Sequence, residues 1–79
     1  MSEVIVYSKA GCGQCMGVKM FLKQNNIPHE IRDIADPSNR EEFDKYGVQS
    51  LPLVVPPVGE VHTGFVPNTL QSIKEGMGV

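Results

Sequence analysis

Val4-Ile5-Val6-Tyr7-Ser8-Lys9-Ala10-Gly11-Cys12-Gly13-Gln14-Cys15 is the stretch that decides how this chain folds. Its first half is a β-branched and aromatic run, the composition of a short buried strand. Its second half carries the chain's two cysteines, three residues apart. From Met16 to Gln24 the spacing is helical, with Cys15, Val18, Phe21 and Leu22 on one face and Lys19 and Lys23 opposite. Two thiols at a strand-to-helix junction can close a small disulfide or expose a reactive thiolate, which the field of a helix N-terminus stabilises. The pair reads as a redox site in its expected context.

Two plainer roles fit less well. Closing so short a ring restricts the unfolded chain by only about 2 kcal/mol, and stapled secreted domains spread several bridges over longer loops. Cys12, Cys15 and His29 match the start of a zinc-finger pattern, with thirteen residues between Cys15 and His29. His62 lies far beyond the gap of roughly three to five residues that the fourth ligand requires.

Only a thiolate attacks a disulfide, so the question is which cysteine ionises. Cys12 falls at or before the first helical turn, where unpaired N–H groups point outward. Lys9 either adds a positive charge there or is a plain solvated lysine. Cys15, one turn inward, shares the apolar face with Val18 and Leu22, so burial keeps it protonated. Cys12 is therefore expected to attack and Cys15 to resolve the mixed disulfide. Gly13 gives the loop room, and the uncharged Gln14 can contact a partner without opposing the thiolate.

Seventy-nine residues hold one domain, spanning 1–79. A hydrophobic fraction of 41% with 20% charged residues fits a soluble globular protein. The net charge of −2 comes without a basic stripe, which argues against nucleic acid. Six acids between Glu30 and Asp44 read as a solvated face. No apolar run approaches a membrane span, and Met1-Ser2-Glu3 lacks the basic start and apolar core of a signal peptide. The thiols are thus expected in a reducing cytoplasm, where a disulfide is transient and catalytic.

The chain reads as an α/β fold in the order β-α-β-α-β-β-α, a four-stranded mixed sheet flanked by three helices. Strand one is Val4 to Tyr7, and helix one runs from Gly13 to Asn25-Asn26. Gly17 inside that helix costs about 1 kcal/mol relative to alanine and is expected to mark close helix-sheet packing. Strand two, Glu30 to Ile34, alternates unevenly with charge, as an outer strand does. Helix two has Asp36-Pro37 as a cap and first turn, Ser38 with Glu41 as a capping box, Phe43 and Tyr46 as buried residues, and Gly47 as its stop. Strand three is Leu53-Val54-Val55, and strand four lies near Glu60 to Thr63 after a turn around Pro57-Val58-Gly59. Helix three follows Asn68 with Leu70, Ile73 and Met77 inward. A right-handed crossover makes strands one and two parallel, and the short turn makes three and four antiparallel. Helix one then begins at the carboxyl end of strand one, where open α/β sheets place their sites.

Two further segments belong with the dithiol. Leu51-Pro52 enters strand three, where proline reads either as a residue whose N–H is not needed or as a cis peptide turning backbone toward an incoming chain. Thr63-Gly64-Phe65-Val66-Pro67-Asn68 is a loop ending in a helix start. Gly64 allows close backbone approach, and Phe65 is either plain core or an apolar contact surface.

Tyr7-Ser8-Lys9, Cys12-x-x-Cys15, Leu51-Pro52 and Gly64-Phe65, in that order, resemble the thioredoxin superfamily, and in size and spacing the glutaredoxins. Within that group the chain is similar to the NrdH-redoxins: Gln14-Cys15 matches their usual Gln-Cys ending, and Gly64-Phe65-x-Pro67 matches their Ser-Gly-Phe-Arg-Pro segment. The resemblance implies a thioredoxin-like fold and a monomer that cycles Cys12 and Cys15 between dithiol and disulfide with no bound organic cofactor. Electrons would come ultimately from NADPH through thioredoxin reductase and go to ribonucleotide reductase. Lys9, Gly13, Gln14, Leu51, Pro52, Gly64 and Phe65 would form the partner-binding rim. The chain departs from the NrdH pattern at His62, where tryptophan is common, at Val66, which replaces arginine, and at Gly13, which replaces a larger apolar residue. Two alternatives stand beside this reading. One is a glutathione-dependent glutaredoxin, although the chain lacks the usual Pro-Tyr pair between the cysteines and the acid that grips the amino end of glutathione. The other is an iron–sulfur carrier bound through Cys12 thiolates of two chains, against which the resolving Cys15 and the weak glutathione site both count.

Overall fold

A computed structural model describes residues 3–57 and 59–78. Its elements are β1 (Val4–Ser8), α1 (Gly13–Gln24), β2 (His29–Asp33), α2 (Pro37–Lys45), β3 (Leu53–Val55), β4 (His62–Thr63) and α3 (Pro67–Met77). The four strands form one sheet in the order β2-β1-β3-β4. β1 pairs parallel with β2 and antiparallel with β3, which pairs antiparallel with β4. β2 is an edge strand, as its charged alternation suggested.

Strand periodicity sorts the apolar side chains into two clusters. Val4, Val6 and Val54 pack with Val18 and Leu22 of α1 and with Leu70 and Ile73 of α3. Tyr7 and Leu53 pack with Phe43 of α2, flanked by Ile5, Val55, Val48 and Leu51. Each face of the central strands is therefore covered. A fully buried leucine such as Leu22 contributes roughly 1.5–3 kcal/mol on this basis.

The acidic stretch is less uniformly solvated than its composition implies. The Tyr7 hydroxyl donates to Glu42 Oε1 at 3.1 Å, and Arg32 Nη1 donates to the same oxygen at 2.7 Å. Arg32 also pairs with Glu30. Burial is the main cause that pushes the Tyr7 hydroxyl pKa above its ordinary value. These contacts tie the outer strand to α2 across the end of β1.

Several boundaries differ from the sequence reading: β1 runs one residue further, to Ser8, and α1 ends at Gln24, short of Asn25-Asn26. β2 begins one residue early because Val4 N–H bonds Pro28 O, and Ile34, placed beyond it, still bonds Ser8 O at 2.9 Å. β4 is shorter than expected, and of the turn before it Val58 lies outside the described residues. α3 begins at Pro67, whose missing N–H suits a first helical turn. Tyr46 is 41% exposed at the end of α2, its ring 5.9 Å from that of Tyr7; Gly47 follows at φ 68°.

The cap of α2 is Asp36 alone: its carboxylate accepts the Ser38 N–H at 2.9 Å, and Ser38 falls inside the helix rather than at its cap. Asp36→Ala should cost about 1 kcal/mol, lowering the thermal midpoint by about 4–8 °C in a domain of this size. Ser38→Ala should stay within about 0.5 kcal/mol of the parent. Thermal melts of the two variants check this, and a larger loss from Ser38→Ala would restore the capping box.

Candidate active site

Cys12 is the N-cap residue of α1, with extended backbone at φ −90° and ψ 108°. Its Sγ accepts the Cys15 N–H at 3.2 Å, taking the place an oxygen side chain usually fills at a cap. A thiolate at this atom would sit on the free N–H groups and positive end of the helix. Cys12 is partly exposed, whereas Cys15 is wholly buried. The two are joined in a disulfide with Cα atoms 5.2 Å apart. The arrangement is asymmetric: one sulfur faces incoming molecules and the other faces the interior.

Strand register brings two further segments to this end of the sheet. Tyr7 lies opposite Leu53, so Pro52 falls just beyond the carboxyl end of β1. Leu53 lies opposite Thr63, so Gly64 and Phe65 emerge beside Pro52. The Leu51–Pro52 bond is cis, Pro52 is buried, and its carbonyl accepts the Gly64 N–H at 2.9 Å. Gly64 has φ 81°, a conformation that side chains rarely tolerate. Phe65 donates its N–H to Gln14 Oε1 at 3.1 Å.

Gly17 has a different partner from the one its helical position suggested. A Cβ on it would lie 3.2 Å from the ring of Phe65, so the missing side chain seats that ring on α1 rather than bringing the helix to the sheet. Phe65 nevertheless stays 38% exposed, beside Val66 at 40% and the α1 methionines Met16 and Met20 at 61% and 55%. Met16 and Met20, one turn apart, fall off the inward face of α1, and a helical wheel alone gives them no role. Phe65, seated on α1 at Gly17, and Met16, one turn from Cys12, are thus exposed apolar side chains at this end of the molecule.

The other expected residues are placed as follows. Gly13 opens α1 and is exposed; a Cβ there would meet nothing within 4 Å, so the position has room to spare. Lys9 is exposed and lines an open cavity of about 650 Å³ with Arg40, Asp44, Phe43 and Leu51, on the α2 side of the dithiol turn. His29 pairs with Val4 at the opposite end of the strands, roughly 13 Å of extended chain away at about 3.3 Å per residue. Its Nδ1 lies 2.7 Å from Ile27 O, so topology separates it from the cysteines. Among the described residues no three His, Cys, Asp or Glu side chains are grouped to hold a metal ion. Nor is any described helix long and apolar enough to cross a membrane.

Residues 4–62 match the family model described as Glutaredoxin. The match stops short of loop 63–66, which closes the site from the other side. Over 54 residues the chain is 32% identical to N-acetyl-S-hydroxy-L-cysteine reductase of Bacillus subtilis (strain 168), covering 66% of this chain and 58% of that protein. It thus spans less than two thirds of that relative's length. Among solved structures, the thioredoxin-like protein BC3987 superposes with a TM-score of 0.80 at 37% identity, covering 90% of this chain and 99% of that one. The glutaredoxin grx-1 from Archaeoglobus fulgidus does so with a TM-score of 0.75 at 25% identity, covering 92% and 86%. The glutaredoxin-like NrdH-redoxin from Escherichia coli shares the fold, with a TM-score of 0.78 at 21% identity over 89% and 92% of the two chains. The thioredoxin-like architecture expected from the sequence is therefore present.

His62, on β4 just before the loop, is only partly exposed, and neither ring nitrogen has a hydrogen-bond partner among the described residues. Burial lowers its pKa below the ordinary value of 6.5. The folded protein then keeps the ring neutral where the unfolded chain takes up a proton. Its stability is full above the ordinary histidine range and falls as pH drops through it, by at most about 1.4 kcal/mol per pH unit. Thermal melts between about pH 7.5 and pH 5.5 should show this decline, and His62→Leu should flatten it. An equal decline in the variant would assign the pH response to another group.

Proposed function

The chain belongs to the glutaredoxin family, and from that premise we propose that it is an NrdH-like electron carrier, taking electrons from thioredoxin reductase and delivering them to ribonucleotide reductase. Family membership and the Cys12–Cys15 disulfide make it a thiol-disulfide oxidoreductase. The donor, the acceptor and the roles of the residues are the proposed part.

In the reduced protein, the Cys12 thiolate attacks one sulfur of the partner's disulfide, and the other partner sulfur leaves as a thiolate. Cys15 loses its proton and attacks the Cys12 sulfur, releasing the partner's second thiol. Two electrons have then passed to the partner, and Cys12–Cys15 is a disulfide again. Thioredoxin reductase, drawing on NADPH, restores the dithiol. The cycle uses no bound organic cofactor, and the chain acts as a monomer in the cytoplasm.

The observation that carries this reading is the chemistry of the rim. Thr63, Gly64, Phe65 and Val66 offer no carboxylate to an ammonium group, and Phe65, Val66 and Met16 expose apolar surface at the dithiol end of the fold. The main-chain groups of Leu51 have no hydrogen-bond partner among the described residues, so an extended peptide can pair there. Such a rim suits a protein partner. A second reading rests on the cavity beside Lys9, whose cation suits the carboxylate of a small thiol derivative, Arg40 in the same lining being paired with Asp44 at 3.1 Å. Glutathione is one such molecule, and the sulfenic acid in the name of the Bacillus subtilis relative is another.

Parallel turnover with NADPH plus thioredoxin reductase, and with NADPH, glutathione and glutathione reductase, separates the readings. Missing one charge-assisted contact costs about 1.5–3 kcal/mol, so the thioredoxin reductase route should be at least about tenfold more efficient. Val66→Asp should narrow that gap. Efficient glutathione-coupled turnover with no response to thioredoxin reductase would instead establish the glutathione reading. In either system Cys12→Ser should abolish turnover, while Cys15→Ser should trap a mixed disulfide visible by mass spectrometry. Faster alkylation of Cys15 than of Cys12 in the reduced protein would reverse the two roles.

A further inference from the structure

Gln14 stands between the two cysteines and is exposed, yet its carbonyl oxygen is turned onto the protein's own main chain. Oε1 accepts the Phe65 N–H at 3.1 Å, across 51 residues of sequence. Gly64 leaves room for this approach: a Cβ there would lie 3.1 Å from the same oxygen, at a backbone φ of 81°. A main-chain N–H at the rim of a dithiol is a fixed donor with no side-chain entropy to lose. It would suit a carboxylate oxygen on a small disulfide, since hydrogen bonds to charged acceptors are the stronger ones. Here a neutral carbonyl of the protein already fills it.

We propose that Gln14 is a specificity-determining residue whose carbonyl closes the Phe65 N–H against the carboxylates of small disulfides. The inference rests on the oxidoreductase assignment but not on which reductase supplies electrons. A carboxylate must displace Gln14 before it can use the donor, and breaking a neutral hydrogen bond lowers the net affinity by roughly two- to tenfold. A protein disulfide that engages the Phe65 ring, the methionines and the Leu51 main chain does not need that N–H. Closing one donor therefore penalises one class of substrate and spares the other, which is how a difference in affinity arises.

The test mixes the pre-reduced full chain with one disulfide in a single turnover, then quenches with acid and alkylates to follow the loss of free thiols. No reductase is present, so failure here is distinct from failure of the NrdH-like reading. The probes are glutathione disulfide, which bears carboxylates, and bis(2-hydroxyethyl) disulfide, which bears none. The readout is the ratio of the two second-order rate constants, because a change in Cys12 reactivity moves both rates together and cancels. Gln14→Ala should raise the glutathione-to-neutral ratio about three- to tenfold, and Gln14→Met, similar in length but without the carbonyl, should do the same. Gln14→Glu should lower the ratio below the parent's, since a carboxylate at that place closes the donor more firmly and repels the anion. An unchanged or lower ratio in both Gln14→Ala and Gln14→Met overturns the proposal, as does a ratio at or above the parent's in Gln14→Glu.

Discussion

Tyr7 opposite Leu53 is the pairing on which the site depends. β1 holds β2 on one side and β3 on the other, so its carboxyl end is the common exit for every segment that matters. The dithiol turn leaves from β1 itself. Pro52 arrives there because β3 runs antiparallel, and loop 63–66 arrives because Leu53 lies opposite Thr63. A slip of one residue would move Pro52 along the strand and turn the side chains of β3 to the opposite faces. Val54 would then leave the α1–α3 core, and Leu53 would leave Phe43. Burial on both faces thus enforces the register, and the register assembles the site.

The asymmetry between the cysteines follows from the same packing. One turn of helix separates a sulfur at the cap from a sulfur in the interior, so the two differ in their access to an incoming molecule. Cys12 gains the free N–H groups of the helix start, while Cys15 lies at zero exposure. No charged neighbour is required for that difference. Lys9 stands on the α2 side of the turn with Arg40, which places its charge by the cavity.

The sequence was most legible where local chemistry and burial agree. The β-branched run of β1, the spacing of Cys15, Val18 and Leu22, the Asp36-Pro37 start and the Leu53–Val55 strand each carry a short-range signal that the tertiary structure reinforces. The Cys12–Cys15 pairing and the cis Leu51–Pro52 bond were legible for the same reason, since these residue types in this order are unusual. What was hidden depends on contacts between distant residues. Nothing near Gly17 announces that a phenylalanine from the loop after β4 will fill its missing side chain. Nor does anything near Gln14 show that its carbonyl will turn toward Phe65 rather than toward a partner. The Arg32, Glu42 and Tyr7 cluster was hidden too, because a charge run reads as solvent-facing until the fold places a tyrosine against it.

β4 is two residues long and forms the edge of the sheet opposite β2. The lip of the site therefore hangs from the least anchored strand of the molecule. Beyond the β3–β4 ladder, its ties among the described residues are the Gly64 bond to Pro52, the Gln14 bond and the seat of Phe65 on α1. Free energies of local opening follow such counts of buried contacts and ladder bonds, so this segment belongs at the low end of the molecule's stability range. β1, β2 and β3 form the opposite extreme. Amide protons of the lip should therefore exchange ahead of those of the central ladder, which carries the dithiol turn.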